Sequence, residues 1–593
     1  MARRPPPRAD TLEAALAQVF AARDTKASWF ALTGGEPLFN AGDEADSLYL
    51  LRSGRLGVFR NEEGQPPQFL GVIRPGEPVG EMALIAGTAH SSDVVALRDS
   101  EILALPRDVF FDAIRTHPEV MIELSRLMLS RARERASAGA EPSVFGFVSA
   151  RPGPIRAFVE RIAACIEAQG YTCQVIDQTA LSSVSEWFSR VEDSHDFVLY
   201  VAEQDEPSWA ALCARQVDRL FVVGSALMAP PARPAAPASP AWRGAQFTDL
   251  ILLRDPRMAM PANTAAWLDA LNPGRWYHAR EGHAEDAARI ARTITGSSIG
   301  LVLSGGGARA YAHIGVVRAL HEAGVVLDSF GGSSMGAVVA AGPALGWSDD
   351  ELETRIRKAF VVSDPLSDIS IPLVAMTRAG KVARLLEEAY GDIDIADLPL
   401  PFFAVSSNLT TGRIEVHRRG LLRRAMRASI SIPGVMPPVV INGQVLVDGA
   451  VIKNFPTDVM RQLNAGPVIG SDMSQARGVD PGALENPPSW WRWLLSGKWK
   501  AGPPIVSILM RSATITSDAE LERSRRDTDV LILPRPSGAD IRDWKVYDPV
   551  VAEGHAAAVA VLEGLEEPIG AMRRRRPRAA AAAAVPAPAT GDT

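Results

Sequence analysis

Short apolar runs that break into glycine or other small residues recur in the second half of the chain. Residues 299–303 form a continuous apolar run that predicts a buried strand, and a helix is predicted to begin near Ala308. A second strand is predicted over residues 325–330, followed by a small-residue helix over residues 337–341. Residues 445–447 predict a further short strand. Strands that alternate with helices in this way indicate an α/β domain.

The first half of the chain shows two other patterns. Residues 12–138 combine a helix opening, short alternating strands broken by glycine and a helical close, which indicates a small β-roll. Residues 142–295 alternate strand-like apolar runs with helical segments, which predicts a second α/β domain with a parallel sheet. Its predicted strands lie at residues 175–177, 197–201, 220–223 and 250–253. The chain of 593 residues is therefore expected to be multidomain.

Two segments have the composition of loops or disordered chain. Residues 229–241 are a proline- and alanine-rich insert, which predicts a loop, and residues 571–593 are rich in arginine, alanine and proline. We expect the latter segment to be a disordered tail. The expected regions are therefore residues 12–138, 142–295, 298–570 and 571–593.

Net charge, cysteine content and the absence of long apolar runs limit the partners, cofactors and cellular location that we expect. The net charge of −7 gives no reason to expect a nucleic-acid partner. The three cysteines, Cys165, Cys173 and Cys213, lack metal-ligand spacing, and we expect neither a metal nor a cofactor. We find no signal peptide and no run of eighteen apolar residues. We therefore expect a cytoplasmic protein, soluble or peripheral on the inner membrane face.

Three consecutive glycines follow the first predicted strand of the second half. The backbone N–H groups of Gly305, Gly306 and Gly307 can point at an anion, which is an oxyanion hole in outline. A dinucleotide-binding turn is the alternative, because the spacing from Gly305 to Ala310 is close to that fingerprint. That alternative needs an acidic residue at the end of the next strand, which instead ends in Ser334 and its small neighbours.

A G-x-S-x-G turn follows the next predicted strand. In Gly332-Ser-Ser334-Met-Gly336, a tight turn would lift the hydroxyl of Ser334 clear of the sheet, and Ser334 is the predicted nucleophile. The alternative is an ordinary strand-to-helix turn with a serine cap. The upstream glycines favour the nucleophile.

A serine nucleophile needs a base. His417 and His555 are the two histidines that follow Ser334, and a triad esterase acting on small soluble esters would use one of them. Asp448 is the other candidate, because it ends a short strand and is followed by Gly449 and Ala450. As a dipeptide, Asp-Gly is also a common turn.

Three motifs in this order and spacing resemble those of the patatin-like phospholipases: Gly305-Gly-Gly-Ala-Arg309, Gly332-Ser-Ser334-Met-Gly336 and Asp448-Gly449-Ala450. The resemblance implies an α/β hydrolase domain with a Ser–Asp dyad and no catalytic histidine. It implies that Ser334 attacks the ester carbonyl, that Asp448 accepts its proton and that the glycine N–H groups stabilise the oxyanion. Arg309 follows the glycines as in that family, whereas Ala310 stands where a further glycine is usual.

The β-roll segment resembles the cyclic nucleotide-binding domain through residues 39–54 and 80–87. In that family, the turn at Gly80 and Glu81 would face a cyclic phosphate and a ribose hydroxyl, and a following Pro-Arg pair would bind the phosphate. Here Ala89 and His90 occupy the Pro-Arg positions, before Ser91. Neutral histidine cannot replace a guanidinium fork, so we expect cyclic nucleotides to bind weakly or not at all. The alternative role is a docking or regulatory module.

The order of the three regions resembles the neuropathy target esterase family and its bacterial relatives, which are lysophospholipases. The animal enzymes carry an N-terminal membrane helix and more than one nucleotide-binding-like domain, and we find neither feature here. The resemblance implies a phospholipid or lysophospholipid substrate and regulation by the N-terminal domain. A cyclic-nucleotide receptor with a vestigial hydrolase domain is the rival in another functional class.

A route to lipid is suggested by residues 490–500, where four tryptophans are interleaved with lysine and arginine. Tryptophan beside cations suits a membrane interface, so we expect peripheral membrane contact there. The alternative is a packing cluster on the hydrolase core. A second basic set, on a predicted hairpin and helix, is most simply a solvated face: Arg413, Arg418, Arg419, Arg423, Arg424 and Arg427.

Overall fold

The computed structural model describes most of the chain between residues 28 and 572. The described ranges are residues 28–61, 68–116, 142–151, 153–183, 185–231, 248–363, 374–464, 466–474, 520–536 and 546–572, with isolated positions from 118 to 128 and from 365 to 369. The described residues divide into two compact units. One holds the β-roll and most of the middle domain, and the other holds the hydrolase domain.

The β-roll is an antiparallel sheet of six strands with one short helix before its last strand and another after it. Its strands are β1 (Ser28–Leu32), β2 (Pro37–Phe39), β3 (Ser47–Arg60), β4 (Gln68–Ile73), β5 (Pro78–Val79) and β6 (Asp93–Pro106). The helices are α1 (Glu81–Ala86) and α2 (Arg107–Thr116). The long strands β3 and β6 pair along most of their length and form the spine of the roll.

The middle domain is a six-stranded sheet in the order β12-β11-β10-β7-β9-β8. Its strands are β7 (Val144–Ser149), β8 (Cys173–Ile176), β9 (Phe197–Ala202), β10 (Arg219–Ser225), β11 (Thr248–Arg254) and β12 (Arg275–Arg280). Its helices are α3 (Arg156–Ala168), α4 (Ser185–Ser194), α5 (Pro207–Gln216), α6 (Thr264–Leu271) and α7 (Ala284–Thr295). Strands β7 to β11 pair in parallel, which confirms the predicted sheet.

Two features of the first unit involve charged side chains with defined partners. The carboxylate of Glu203 accepts the N–H groups of Ile155 and Arg156, so it occupies the N-terminus of α3 where an anion would be favoured. Arg98 of the β-roll pairs with Glu192 of the middle domain at 2.6 Å, and both side chains are nearly buried. Breaking such a pair leaves a buried charge without its partner, so this contact holds the two domains in one arrangement.

The hydrolase domain is built on an eight-stranded sheet in the order β17-β18-β15-β14-β13-β19-β20, with β16 paired to β15. Its strands are β13 (Gly300–Leu303), β14 (Ser329–Ser333), β15 (Phe402–Asn408), β16 (Arg413–His417), β17 (Val439–Ile441), β18 (Gln444–Asp448), β19 (Val468–Ser471) and β20 (Val530–Ile532). Strands β15, β14, β13, β19 and β20 run in parallel, and β16, β17 and β18 are antiparallel additions at one edge.

Helices cover both faces of this sheet. They are α8 (Ala312–Glu322), α9 (Met335–Ala344), α10 (Asp349–Ile356), α11 (Gly380–Tyr390), α12 (Leu422–Ser429), α13 (Thr457–Leu463) and α14 (Tyr547–Glu563), and a π-helix (Arg357–Val362) extends α10. Alternation along β13 explains the layers: Leu301 and Leu303 pack with the larger helical core, whereas Val302 packs with residues of α13.

The last helix crosses an early one at very close range. A Cβ added to Gly315 of α8 would overlap the backbone of α14, and a Cβ added to Gly554 of α14 would overlap the backbone of α8. Glycine at both positions therefore allows this backbone contact. His555 of α14 also hydrogen-bonds Glu322 of α8 at 2.7 Å, although the two residues are 233 apart in sequence.

Several sequence predictions are confirmed and others need correction. The strands expected near residues 299–303 and 445–447 are present as β13 and β18. The strand expected from residue 325 begins only at Ser329, because Val325 N–H bonds Leu320 O and closes a turn after α8. Strands β7 and β12 were not predicted. The expected tryptophan-rich segment at 490–500, most of the insert at 229–241 and nearly all of the tail at 571–593 lie outside the described residues.

Candidate active site

Ser334 lies at the turn between β14 and α9. Its backbone has φ 52° and ψ −131°, a conformation that L-residues rarely adopt. The turn is tight because Gly336 approaches β13 so closely that a Cβ there would overlap the carbonyl oxygen of Leu303. A strained, sharply turned serine at a strand-to-helix junction is the geometry of a nucleophile elbow.

The hydroxyl of Ser334 meets the carboxylate of Asp448. Ser334 Oγ donates to Asp448 Oδ2 at 2.7 Å, across 114 residues of sequence. Asp448 ends β18, and its Oδ1 accepts the N–H of Ala450 at 2.9 Å. Ser334 is 7% exposed and Asp448 is 1% exposed. The structure therefore brings the predicted nucleophile and the predicted carboxylate into direct contact away from water.

Burial sets the protonation behaviour of Asp448. Removal from water disfavours the charged carboxylate and raises the pKa of Asp448 to about 6, while the hydrogen bonds from Ser334 and Ala450 act in the opposite direction. A carboxylate with a pKa nearer neutrality is a stronger base than an ordinary aspartate. The site therefore suits proton transfer from a hydroxyl.

Hydrogen bonds to the last residue of α12 and to a residue just after it hold the pair. Ser334 N–H donates to Ser429 Oγ at 2.9 Å, and Ser429 Oγ donates to Val405 O at 2.7 Å. Asp448 N–H donates to Ser431 O at 2.9 Å. Gly449 must be glycine, because a Cβ there would overlap the hydroxyl of Ser333. Sequence reasoning did not identify Ser429, since nothing near it in the chain marks a contact with a residue 95 positions away.

The glycine loop passes beside the nucleophile. A Cβ on Gly305 would lie 2.9 Å from Ser334 Cβ, so only glycine fits there. Gly305 N–H donates to Asn454 O at 3.3 Å, and Asn454 Nδ2 donates back to Gly305 O at 3.1 Å. Because the Gly305 N–H has this internal acceptor, Gly306 and Gly307 supply the candidate oxyanion donors.

His313 supports this loop from behind. Its Nε2 lies 2.8 Å from Ser304 O, which can only accept, so Nε2 carries the proton. Its Nδ1 therefore accepts from Ser471 Oγ, 2.9 Å away. Burial lowers the pKa of His313 to about 4, so the ring is neutral at physiological pH. No motif pointed to His313, whose role as a support depends on the fold around it.

The remaining predicted residues of this domain do not form part of the Ser334–Asp448 hydrogen bond. Arg309 and Ala310 are buried in the short 3₁₀ helix Gly307–Tyr311 that follows the glycine loop. His417 Nε2 lies 2.7 Å from Ser406 Oγ, and His555 pairs with Glu322, so each of the two candidate triad histidines has a partner outside the dyad. The geometry favours Asp448 over either histidine as the base.

In the β-roll, the side chain of His90 lies against the turn at Gly80 and Glu81, where a cyclic phosphate would bind in the resembling family. We call this turn and its surroundings the cradle. The ring of His90 stacks on Phe39, with centroids 3.6 Å apart and planes 11° apart. Its Cε1 lies 3.3 Å from the position that a Cβ would take on Gly80. Glu81 is buried at the start of α1, and Ser91 is exposed. Burial lowers the pKa of His90, so the ring beside Gly80 is uncharged at neutral pH.

Three family models match separate parts of this chain. The model for patatin-like phospholipase matches residues 301–461, which include every predicted residue of the dyad and the glycine loop. The model for the cyclic nucleotide-binding domain matches residues 30–117. The model for the neuropathy target esterase family P-loop like domain matches residues 168–279.

Comparisons of the whole chain find relatives that match it over most of its length. An NTE family protein of Mycobacterium tuberculosis is 34% identical over 546 residues, which cover 89% of this chain and 90% of that protein. Lysophospholipase nte1 of Neosartorya fischeri is 25% identical over 92% of this chain and 42% of its own length. Patatin-like phospholipase domain-containing protein 6 of Pongo abelii is 27% identical over 94% of this chain and 46% of its own length. The chain thus spans under half of these two eukaryotic relatives.

Proposed function

We infer that this chain, which belongs to the neuropathy target esterase family of patatin-like phospholipases, uses a Ser334–Asp448 dyad to cleave the acyl esters of phospholipids or lysophospholipids. The family is one of lipid ester hydrolases, and that much of the function follows from membership. The dyad, its donors and the substrate class are our proposal. The contact that carries it is the 2.7 Å hydrogen bond between Ser334 Oγ and Asp448 Oδ2.

The proposed reaction proceeds in two halves. Asp448 accepts the hydroxyl proton as Ser334 Oγ bonds to the ester carbonyl carbon, and the carbonyl oxygen becomes an oxyanion facing the N–H groups of Gly306 and Gly307. The intermediate collapses, the C–O bond to the glycerol breaks, and Asp448 returns the proton to the leaving alcohol. Water then attacks the acyl carbon while Asp448 accepts its proton, the bond from Ser334 Oγ to that carbon breaks to release the fatty acid, and Asp448 returns the proton to Ser334 Oγ.

The choice of substrate rests on the relatives. Two of them are named as a lysophospholipase and a patatin-like phospholipase domain-containing protein. A glycerophospholipid with one or two acyl esters is therefore the proposed substrate class. Across the described residues we find no helix that is long and apolar enough to cross a bilayer.

Regulation by the N-terminal domain is also proposed. The buried Arg98–Glu192 pair couples the β-roll to the middle domain, so a change in one affects the other. The self-filled cradle at His90 and Phe39 favours a role for the β-roll as a docking module rather than a nucleotide receptor.

A lipid panel tests the proposed function. Purified full chain is given lysophospholipids, diacyl phospholipids, triacylglycerols and a short soluble ester, and released fatty acid is measured. We expect turnover of one of the phospholipid classes above the other substrates, and none by Ser334→Ala. Turnover of the soluble ester alone would favour a small-molecule esterase and contradict the proposal.

A further inference from the structure

Exposed aliphatic side chains of the hydrolase unit concentrate at one end of its sheet. Among the residues described in this unit, six large hydrophobic side chains are more than two-fifths exposed. Five of them define what we call the rim: Val362 (75%), Val374 (69%), Leu409 (55%), Val440 (55%) and Ile369 (53%). The sixth is Val326 (46%), between α8 and β14 at the opposite end.

Two rim residues lie where the sheet edge extends past the nucleophile. Leu409 directly follows β15, whose carboxyl end is also the end at which Ser334 follows β14. Its N–H donates to Val445 O at 2.8 Å, and Val445 pairs with Val440 in the hairpin of β17 and β18. Because Leu446 is already level with Asn408, this hairpin projects beyond the carboxyl end of β15.

The other three rim residues lie in or beside the connection from the π-helix to α11. Met376 N–H donates to Gly434 O at 2.9 Å and Thr377 N–H donates to Val435 O at 3.0 Å. Residues 434–435 follow α12, and its last residue, Ser429, bonds the backbone of Ser334. Val374 and, through its bridge to Thr377, Ile369 therefore lie at the same end of the sheet as the dyad, and Val362 ends the π-helix that precedes them.

Exposed cations accompany the aliphatic residues. Arg413 pairs in register with Asn408 at the end of β15, and Arg424 donates to Val440 O at 2.9 Å. Arg378 lies beside the bridge between Ile369 and Thr377. All three arginines are exposed, in a chain whose net charge is −7, so positive charge at this end does not reflect overall composition.

We propose that the rim is a docking surface for a phospholipid bilayer. Aliphatic side chains that would otherwise face water gain by entering the acyl–headgroup boundary, and arginine beside them meets lipid phosphate. The inference rests on the proposed function, because the dyad is nearly buried and an ester must leave the lipid phase to reach it. The rim surrounds the end of the sheet at which that transfer would occur.

Paired substitutions in the full chain test this surface. Leu409→Asp with Val440→Asp, and separately Val362→Asp with Val374→Asp, place charge at the rim. Val326→Asp is the matched control, since it puts the same charge on an exposed valine at the other end. Co-sedimentation is measured with vesicles of phosphatidylcholine, with and without phosphatidylglycerol, alongside turnover of vesicle lipid relative to a short soluble ester.

We expect each rim pair to lower vesicle affinity and the vesicle-to-soluble turnover ratio by about tenfold or more, with Val326→Asp unchanged and phosphatidylglycerol strengthening wild-type binding. Wild-type protein that does not bind either vesicle overturns the proposal. So do rim variants that bind as the control does, or a rim variant that instead dissociates a dimer in sedimentation. If the wild-type protein hydrolyses no ester at all, the proposed function is refuted instead. The comparison of vesicle binding between rim variants and control would still test the rim as a docking surface.

Discussion

The hydrolase site and the β-roll cradle are both marked by glycine turns, yet they differ in what surrounds those turns. At the hydrolase site, the reacting groups are in contact: Ser334 Oγ lies 2.7 Å from Asp448 Oδ2. In the cradle, the imidazole of His90 lies against Gly80 and stacks on Phe39 at 3.6 Å. The first site therefore pairs two groups that can react, whereas in the second a histidine ring lies against the glycine turn.

The two sites also differ in energetic cost. Ser334 is held at positive φ, which costs on the order of 1–3 kcal/mol, and Asp448 is buried without a cation among its hydrogen-bond partners in the described chain. The His90 ring of the cradle carries no such cost, because it is neutral, buried and stacked on Phe39, and this packing stabilises the fold. Backbone strain and a buried carboxylate are therefore present at the hydrolase site, whereas the cradle holds a stacked neutral ring.

Of the changes proposed here, substitution of the dyad residues should have the largest effect on ester hydrolysis. Ser334→Ala and Asp448→Asn should each lower kcat by at least about a thousandfold, because nucleophile and base act as one unit. The double variant should be little worse than either single variant. His555→Ala, whose partner is Glu322, is the matched control and should keep most of the activity. Near-normal hydrolysis by Asp448→Asn, measured as released fatty acid, would exclude the dyad.

Displacement of the oxyanion donors should cost less. In Gly306→Ala, the new Cβ would lie 3.0 Å from Met473 Cβ, so the loop must shift and misplace its N–H groups. We expect kcat to fall about a hundredfold with little change in KM. Gly570→Ala adds a methyl group to a glycine with open space around it and no positive φ, and should leave kcat unaltered. A folded Gly306→Ala enzyme with normal kcat would assign the glycines to packing.

Acid should reduce activity through Asp448. The carboxylate must be deprotonated to act as a base, and its pKa is about 6, so kcat/KM should fall about tenfold per pH unit below that value. A rate profile that is flat down to about pH 4, the ordinary carboxyl range, would contradict this assignment.

Stability must be followed in the same pH window. Burial lowers the pKa of His313 and of His417 to about 4. Below their ordinary pKa of about 6.5 the unfolded chain therefore binds protons at these two residues that the native state does not, so their contribution to the free energy of unfolding falls as pH drops toward 4. The raised pKa of Asp448 acts in the opposite direction over the same window. A thermal melt at each pH separates this loss of stability from protonation of Asp448.

The smallest effect is expected in the β-roll. Calorimetry with cAMP and cGMP should show weak or no binding to wild type, and neither nucleotide should change ester turnover. His90→Arg should gain affinity, because it clears the ring from Gly80 and supplies a guanidinium. Ser91→Arg, an exposed neighbour, controls for added charge alone. Micromolar binding by wild type would mean that the cradle is functional after all.

Sequence reasoning located the parts of the hydrolase site that are encoded in contiguous motifs. Ser334 and Asp448 each lie in a short motif that fixes a local turn, so both could be named from the chain. Their contact could be inferred only from family resemblance. His313 and Ser429 could not be found, because their roles depend on partners that the fold selects from 95 to 158 residues away.

Some errors have local physical causes. The apolar residues at 325–327 have the composition of a strand, but a hydrogen bond from Val325 N–H to Leu320 O commits them to the turn after α8. The Gly305 N–H appeared equivalent to its two neighbours in sequence, yet only the fold brings Asn454 O to it. The rim could not be predicted either, since exposed and buried valines are identical in a sequence.

The close crossing of α8 and α14 has a consequence for the order in which the protein is made. Helix α8 follows the glycine loop directly, but the surface it packs against lies in residues that the ribosome adds more than 200 positions later, as the 233-residue separation of Glu322 and His555 shows. At typical rates of synthesis that interval lasts on the order of tens of seconds. During it, a nascent chain would display the strands and motifs of a hydrolase with one face of α8 uncovered. The hydrolase domain therefore completes its fold only after α14 has emerged, which delays the proposed esterase activity until that helix is made.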